Sequence, residues 1–327
     1  MDPGALRRDA AVSDPVSRGR NGLIGFAVLA AIVGLVLART MRSDRVQAPA
    51  PSHAPLEPAF TGVGIDAIAS GEDTALAVGE TGHVLRYRAT DPTWRPMTSP
   101  THAALHGVAI RLGEAVAVGD DGTILELDGD AWKLAPSVTH RALRAVVYST
   151  YGAIAVGDGG TIVRRPAPHE PWRAEPSGTG ADFFGACAGL RDVWIVGAQG
   201  TIVGHASIAD LGDPWKVHAS VGTATLRAVA CDDAAGIAVG GGGTRLTRLD
   251  DVGWHASPSP TQTDLFAVAA PLGTRSWLAV GAHGTAVRFA GEPATLAPLA
   301  GWDLRAVTDG PLGTWIGGAG GILRMQP

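Results

Sequence analysis

The phrase Val-Gly-x-x-Gly, followed by a short apolar run, recurs seven times along this 327-residue chain. Successive copies begin 36 to 43 residues apart, and their leading glycines are Gly79, Gly119, Gly157, Gly197, Gly240, Gly281 and Gly317. A period near 40 residues indicates an array of supersecondary units that bury their hydrophobic surfaces only against one another. One closed array of this kind can take up about 270 residues as a single domain.

Each repeat has four parts, and all four have the character of β-strands. A Leu-x-Ala-Val phrase comes first, then an apolar run ending at the glycine, then Gly-Thr-Ile-Val, then a segment led by tryptophan. The first phrase begins at Ile65, Leu105, Leu143, Phe184, Leu226, Leu265 and Leu304, and the tryptophans are Trp94, Trp132, Trp172, Trp215 and Trp254. Short β-branched runs bounded by Gly, Asp and Pro favour strands. Four antiparallel strands in each of seven repeats predict an all-β fold, the seven-bladed β-propeller.

The two ends of the array are complementary. The seventh repeat stops after its third strand, at Gly321 to Arg324, and lacks a fourth. Before the first repeat, Ala54-Pro-Leu-Glu-Pro58 matches Trp132-Lys-Leu-Ala-Pro136 in register. We therefore predict that the N-terminal segment supplies the missing strand, which removes an open sheet edge. The predicted propeller spans residues 54–327.

The N-terminal region predicts a membrane anchor. After a tail at residues 1–21, residues 22–38 form a run of 17 residues without a charge, with arginines on both sides. At about 1.5 Å per residue, a helix of this length spans ~25 Å, which is just enough to cross a bilayer. A cleaved signal peptide is the alternative. Four arginines before the run and three after it favour a cytoplasmic N-terminus. We expect a single-pass inner-membrane protein whose linker, residues 39–53, holds the propeller on the periplasmic side.

Net charge and cysteine content limit the partners and the compartment. A formal net charge of -5 does not favour binding of a polyanion, so we expect no nucleic acid partner. The two cysteines, Cys187 and Cys231, lie in neighbouring repeats, where Cys187 aligns with Val229, two residues from Cys231. This offset predicts two buried free thiols, with a disulfide as the alternative. Cysteine content therefore does not settle the compartment.

The repeat resembles a known group of propellers. Its Leu-Arg-Ala-Val, Ala-Val-Gly-x-x-Gly-Thr-Ile and Asp-x-x-Trp phrases look like those of BNR-type, photosystem II stability and assembly factor-like proteins. Asp128-Gly-Asp-Ala-Trp132, Asp91-Pro-Thr-Trp94 and Asp250-Asp-Val-Gly-Trp254 resemble degenerate Asp-box turns. The resemblance covers residues 54 to 327. It implies a non-enzymatic assembly factor, and because Asp-boxes also occur in glycosidases, it leaves a carbohydrate-active glycosidase or lyase as the alternative.

A search for catalytic chemistry finds no complete set. A sialidase of the Asp-box type needs a tyrosine with a carboxylate partner, and no motif places a glutamate beside Tyr148, the tyrosine that follows the inner strand of the third repeat. The histidines are scattered, and His102 and His106 lie on a loop and a strand, where i, i+4 spacing does not bring two ligands together. We therefore expect no enzyme, no metal and no cofactor.

One constellation remains, at the variable position of Leu-x-Ala-Val. Its seven occupants are Asp66, His106, Arg144, Gly185, Arg227, Phe266 and Arg305. The first strand of each blade lines the central channel, so these side chains should lie near the axis. We predict a partner-binding site of Arg144, Arg227, Arg305 and His106 that takes an anion or carboxylate. The alternative is that each arginine pairs with an acid such as Asp303 or Asp232 and only stiffens the ring. The expected function is a non-catalytic, membrane-tethered scaffold that binds a protein partner or assists assembly of an envelope complex.

Overall fold

The computed structural model describes residues 56–150, 152–206, 215–232, 234–249, 253–270, 276–290, 293–296 and 298–325. These residues form seven four-stranded antiparallel sheets, the blades of a β-propeller, as the repeat predicts. Among them, no helix is long and apolar enough to cross a bilayer. The predicted tail at 1–21, anchor at 22–38 and linker at 39–53 lie outside the described residues.

Each blade runs from an inner to an outer strand. Blades one to four comprise β2 (Ile65–Ser70), β3 (Thr74–Gly79), β4 (Val84–Arg88) and β5 (Asp91–Met97); β6 (Leu105–Arg111), β7 (Glu114–Gly119), β8 (Ile124–Asp128) and β9 (Ala131–Leu134); β10 (Leu143–Ser149), β11 (Gly152–Gly157), β12 (Thr161–Arg165) and β13 (Arg173–Glu175); and β14 (Phe183–Ala188), β15 (Asp192–Gly197), β16 (Ile202–Ala206) and β17 (Lys216–His218). Blades five to seven comprise β18 (Leu226–Cys231), β19 (Ala235–Gly240), β20 (Arg245–Leu249) and β21 (Gly253–Ala256); β22 (Leu265–Ala269), β23 (Trp277–Gly281), β24 (Ala286–Phe289) and β25 (Ala294–Thr295); and β26 (Leu304–Thr308), β27 (Thr314–Gly318), β28 (Gly321–Met325) and the N-terminal β1 (Leu56–Thr61).

The N-terminal strand closes the ring, as predicted. β1 pairs antiparallel with β28, with Leu56 opposite Met325 and Thr61 opposite Gly321. The inner strand of the seventh blade packs against the inner strand of the first, as the other neighbouring blades do. β1 therefore covers the outer edge of β28 and ties the start of the propeller to its end.

A close approach between main chains explains the recurring glycine. In each blade it lies opposite the first residue of the inner strand, at the mouth of the turn between the second and third strands. A Cβ at this position would lie 1.9–2.1 Å from the carbonyl oxygen of the residue before the inner strand. Both atoms belong to main chain in a paired sheet, so no side-chain rotation relieves the clash.

The contact of the leading glycine shows that the sequence alignment of blades four and seven is shifted by one residue. In the seventh blade, Gly318 lies opposite Leu304 and has the glycine contact, so Gly317 is not the leading glycine. The run from Gly317 to Gly321 fits Gly-x-x-Gly in two ways, which is why the sequence pattern misplaces it. In the fourth blade, Phe183 and not Phe184 lies opposite Gly197. The inner phrase of that blade is therefore Phe183 to Ala186.

The hydrophobic core lies between blades. Side chains alternate along each inner strand, so one set faces the preceding blade and the other set faces the next. One such cluster joins Ile154 and Val156 of blade three to Phe183 and Ile195 of blade four, and all four are 0–1% exposed. Each blade is thus stabilised by two neighbours, which is the cooperativity expected of a closed array.

The cysteines form a disulfide, contrary to the prediction of free thiols. Cys187 and Cys231 are bonded, with Cα atoms 5.8 Å apart. The corrected alignment of blade four explains the error, because it shifts Cys187 from the position of Val229 to that of Ala230. Ala230 packs towards the following blade, whereas Val229 and Cys231 pack towards the preceding one. Cys187 therefore faces blade five and Cys231 faces blade four, so their side chains meet.

Candidate functional site

The variable residues of the inner phrases form a ring around the axis. In every blade the pairing of the inner strand shifts register between its first and third residues, so the second residue is a β-bulge. A bulge leaves one residue unpaired and re-aims its side chain. We call these residues the bulge ring: Asp66, His106, Arg144, Phe184, Arg227, Phe266 and Arg305. Phe184 replaces the predicted Gly185, because of the corrected register of blade four.

Side chains of successive ring members touch in four places. Arg305 donates to Asp66 at 3.0 Å, and the Asp66 carboxylate lies 3.5 Å from Nδ1 of His106. The Arg144 guanidinium lies 3.2 Å from Nε2 of His106, and the Arg227 guanidinium carbon lies over the Phe184 ring, 5.0 Å from its centre. Four of the seven neighbouring pairs in the ring are therefore in side-chain contact.

Three acids from the Val-Gly-x-x-Gly turns neutralise one side of this ring. Asp120 accepts a hydrogen bond from Nε2 of His106 at 2.8 Å. Asp158 accepts two from Arg144, to Oδ1 from Nε and to Oδ2 from Nη2, both at 2.9 Å. Glu80 accepts one from Arg305 at 3.2 Å. A charged arc thus runs across blades seven, one, two and three and comprises Arg305, Asp66, His106 and Arg144. The acids that pair with its arginines are not the predicted Asp303 and Asp232.

Protonation in the charged arc follows from these contacts. The hydrogen bond to Asp66 raises the pKa of His106 above its ordinary value; burial opposes this, and Asp120 reinforces it. Burial acts to raise the pKa of Asp66, but the hydrogen bonds from His106 and Arg305 outweigh it and leave that pKa lowered. The same network favours the charged form of both groups. With both ring nitrogens protonated, His106 donates to a carboxylate on each side.

The other side of the ring is an aromatic arc of Phe184, Arg227 and Phe266. Arg227 is exposed, and within the described part of the chain no carboxylate lies within ion-pair distance of it. The reason lies in the turns, where blades four to six carry Ala198, Gly241 and Ala282 in place of an acid. The four predicted site residues therefore divide, with His106, Arg144 and Arg305 in the charged arc and Arg227 in the aromatic arc.

Sequence reasoning missed the acids of the turns and Phe184. The acids carried a visible signal, since the first turn residue is acidic in the first three repeats only: Glu80, Asp120 and Asp158. Phe184 was hidden by the adjacent Phe183, which also fits the first position of the phrase.

A second polar cluster lies towards the opposite end of inner strand β10. Arg111, Glu114, Tyr148 and Arg165 line a cavity of about 220 Å³ between blades two and three. The structure thus places a glutamate near Tyr148, which no sequence motif had indicated. Both Glu114 and Glu126 are held by the buried Arg165, at 3.1 and 3.0 Å. Burial raises the pKa of Tyr148 to about 12, so its hydroxyl stays protonated and is a poor nucleophile. Among the described residues, no group of three or more His, Cys, Asp or Glu side chains could hold a metal ion.

The chain matches no protein-family model and no curated protein. Solved propellers match it over most of its length. YCF48 bound to D1 peptide is 15% identical with a TM-score of 0.67, and the match covers 85% of this chain and 99% of that one. YCF48 from Cyanidioschyzon merolae is 16% identical with a TM-score of 0.65, covering 84% and 99%. The WD40 repeats of RRP9 are 12% identical with a TM-score of 0.67, covering 83% and 92%.

These identities show the fold alone. YCF48 is a photosystem II assembly factor, so the predicted resemblance to assembly factor-like propellers is confirmed at the level of the fold.

Proposed function

We propose that this chain is a non-catalytic propeller that binds a protein partner through the aromatic arc of its bulge ring. The observation that carries the proposal is the division of the ring. Arg144 and Arg305 are held by carboxylates of the chain, whereas Arg227 is exposed and has no such partner among the residues that the structure describes. Its neighbours in the ring are Phe184 and Phe266. Aromatic residues and arginine are the types that dominate the energy of protein interfaces.

The comparisons support a protein as the partner. One matching solved propeller is YCF48 with a bound D1 peptide. The fold it shares with this chain is one on which a polypeptide is bound in that protein. For this chain, peptide or protein binding remains our proposal, because fold alone does not determine function.

The absence of catalysis is also part of the proposal. The carbohydrate-active alternative would need a reactive tyrosine or a carboxylate pair free to act as acid and base. Near Tyr148, both glutamates are engaged by Arg165, and Glu126 also accepts a hydrogen bond from the Trp172 indole at 2.8 Å. These contacts support a structural role for the cluster.

We further propose that residues 22–38 tether the propeller to the inner membrane and that it faces the periplasm, where it assists assembly of an envelope complex. The 17 uncharged residues flanked by arginines support the tether. The Cys187–Cys231 disulfide supports an oxidising compartment, because disulfides rarely persist in the cytoplasm.

Affinity capture with matched variants tests the binding function. The full chain, solubilised in detergent, is used to capture partners from the envelope fraction, alongside Phe184→Ala/Phe266→Ala. The control is Leu134→Ala/Leu249→Ala, which removes two side chains that are 60% and 55% exposed on outer parts of the blades. We expect the phenylalanine variant to lose at least tenfold of the captured partner while the leucine variant retains it. Equal capture by the two double variants would refute the aromatic arc as the binding surface.

A further inference from the structure

The repeat supplies an internal comparison between Arg144 and Arg227. Both occupy the bulge of an inner strand, in blades three and five. In blade three, the first residue of the turn is Asp158, which takes the Arg144 guanidinium in a two-point contact at 2.9 Å and 2.9 Å. In blade five the equivalent residue is Gly241, which has no side chain. Arg227 therefore lacks the carboxylate that its structural equivalent has.

The space at Gly241 that corresponds to the Asp158 side chain has room for a carboxylate. A Cβ on Gly241 would meet only the Thr225 carbonyl oxygen at 3.8 Å and Asp264 Oδ1 at 3.9 Å, both ordinary contacts. The Asp264 carboxylate is already used, because it accepts a hydrogen bond from the Gly242 amide at 2.7 Å. In blade three, Asp182 accepts the equivalent hydrogen bond from the Gly159 amide. The Arg144–Asp158 pair forms beside it, so an acid at the position of Asp264 does not prevent such a pair in blade five.

The position of the Arg227 guanidinium leaves its N–H donors available to a ligand. The guanidinium carbon lies over the Phe184 ring, 5.0 Å from its centre, and a cation–π contact of this kind does not use the N–H groups as hydrogen-bond donors. An N–H edge of arginine matches a carboxylate in a planar, two-point contact. Phe266, the next ring member, adds an apolar side chain at the bulge of the neighbouring blade six.

We propose that Arg227 binds a carboxylate of the protein partner, in the place that the Asp158 carboxylate occupies beside Arg144. This inference rests on the proposed binding function and names the chemistry of its ligand. The carboxylate belongs to an acidic side chain or a C-terminus, and a neighbouring apolar side chain of the partner contacts Phe184 or Phe266.

Two probes that differ in one group test the chemistry. Acetyl-Leu-Leu with a free C-terminal carboxylate and its carboxamide are titrated against the full chain, with ligand-observed NMR as the readout. We expect the carboxylate to bind at least tenfold more tightly than the amide, and this preference to weaken with added salt. No preference for the carboxylate, or tighter binding of inorganic phosphate in the same assay, would overturn the proposal.

The open position provides its own blocking variant. Gly241→Asp introduces a carboxylate where blade three carries one, so it should pair with Arg227 and reduce the preference to about twofold or less. Arg227→Gln should have the same effect by removing the cation. Leu249→Asp is the matched control, since it adds the same charge to blade five at an exposed residue, at the end of β20 remote from the turn. A tenfold preference that survives Arg227→Gln, or that Leu249→Asp removes equally well, would refute the assignment.

The inference and the proposed function fail in different ways. If the envelope partner is captured by Arg227→Gln and Gly241→Asp as well as by the unaltered chain, but not by Phe184→Ala/Phe266→Ala, the carboxylate site is wrong and the binding surface stands. If both phenylalanine substitutions leave capture unchanged, the binding surface itself is wrong. Equal melting temperatures of the variants would confirm that each comparison concerns folded protein.

Discussion

The disulfide between blades four and five offers a prediction whose magnitude follows from the topology. Cys187 and Cys231 are 44 residues apart in sequence, and they join the inner strands of two adjacent blades. In the chain-entropy model, closing a loop of that length removes ~13 cal/mol/K from the unfolded chain, which corresponds to about 4 kcal/mol at 25 °C. We expect reduction of this bond to lower the free energy of unfolding by about that amount.

Guanidinium chloride unfolding of the full chain, followed by tryptophan fluorescence, measures the effect. The unaltered chain is compared with and without a phosphine reductant, and Cys187→Ala/Cys231→Ala serves as the control that the reductant cannot affect. The reduced chain and the alanine variant should unfold at similar denaturant concentrations, both well below the oxidised chain. A loss of less than about 1 kcal/mol would refute the entropic argument, because the bond would then add little to contacts that already hold the two strands.

Two further predictions concern the closing strand and the charged arc. Deleting residues 1–60 removes most of β1 and exposes the edge of β28, so we expect aggregation or a large fall in melting temperature. Deleting residues 1–46 should leave the melting temperature unchanged. Equal stability of the two truncated proteins would contradict the closure of the ring by β1. The raised pKa of His106 means that its stabilising contribution is complete below the ordinary histidine pKa and is lost as the pH rises through its value in the folded protein. The lowered pKa of Asp66 has the opposite consequence, since its contribution is lost as the pH falls through its value in the folded protein. Melting temperature measured against pH should therefore fall at both ends. His106→Asn should abolish the fall on the alkaline side and reduce the fall on the acidic side, because His106 also helps to lower the pKa of Asp66.

Most of the architecture is predictable from the sequence because each strand repeats a local pattern. Seven copies of one phrase average out the ambiguity of any single strand, and the match between the N-terminal segment and the fourth strand of blade two identifies β1. The errors arise where two identical residues are adjacent. The pair Phe183-Phe184 and the pair Gly317-Gly318 each fit the pattern in two registers, and only the pairing of main chains selects one.

A one-residue error has a large effect in a strand, since it exchanges the two faces. That is why the aligned repeats predict two free thiols and leave the disulfide as the alternative, although both cysteines lie in neighbouring repeats. The site was harder to predict for a different reason. The position of Arg144 and Arg305 near the axis follows from the repeat, but their pairing depends on side chains from the turns, which the inner phrase does not contain.

The two arcs of the bulge ring differ in the contacts of their arginines. All seven positions share one backbone geometry, so differences between them come from side-chain chemistry and not from location. In the charged arc, Asp66 joins Arg305 to His106 across three blades, and each guanidinium has a carboxylate of the chain. Such pairs contribute cohesion between blades and leave little capacity for an external ligand. In the aromatic arc the guanidinium is exposed and its neighbours are phenyl rings, so its capacity for hydrogen bonds is unused within the described part of the chain. Arg305 also has no acid in its own turn, but Asp66 and Glu80 of the next blade pair with it. Next to Arg227 the equivalent residues are Phe266 and Ala282, so the absence of acids from both its own turn and the next blade leaves this guanidinium for the partner that we propose.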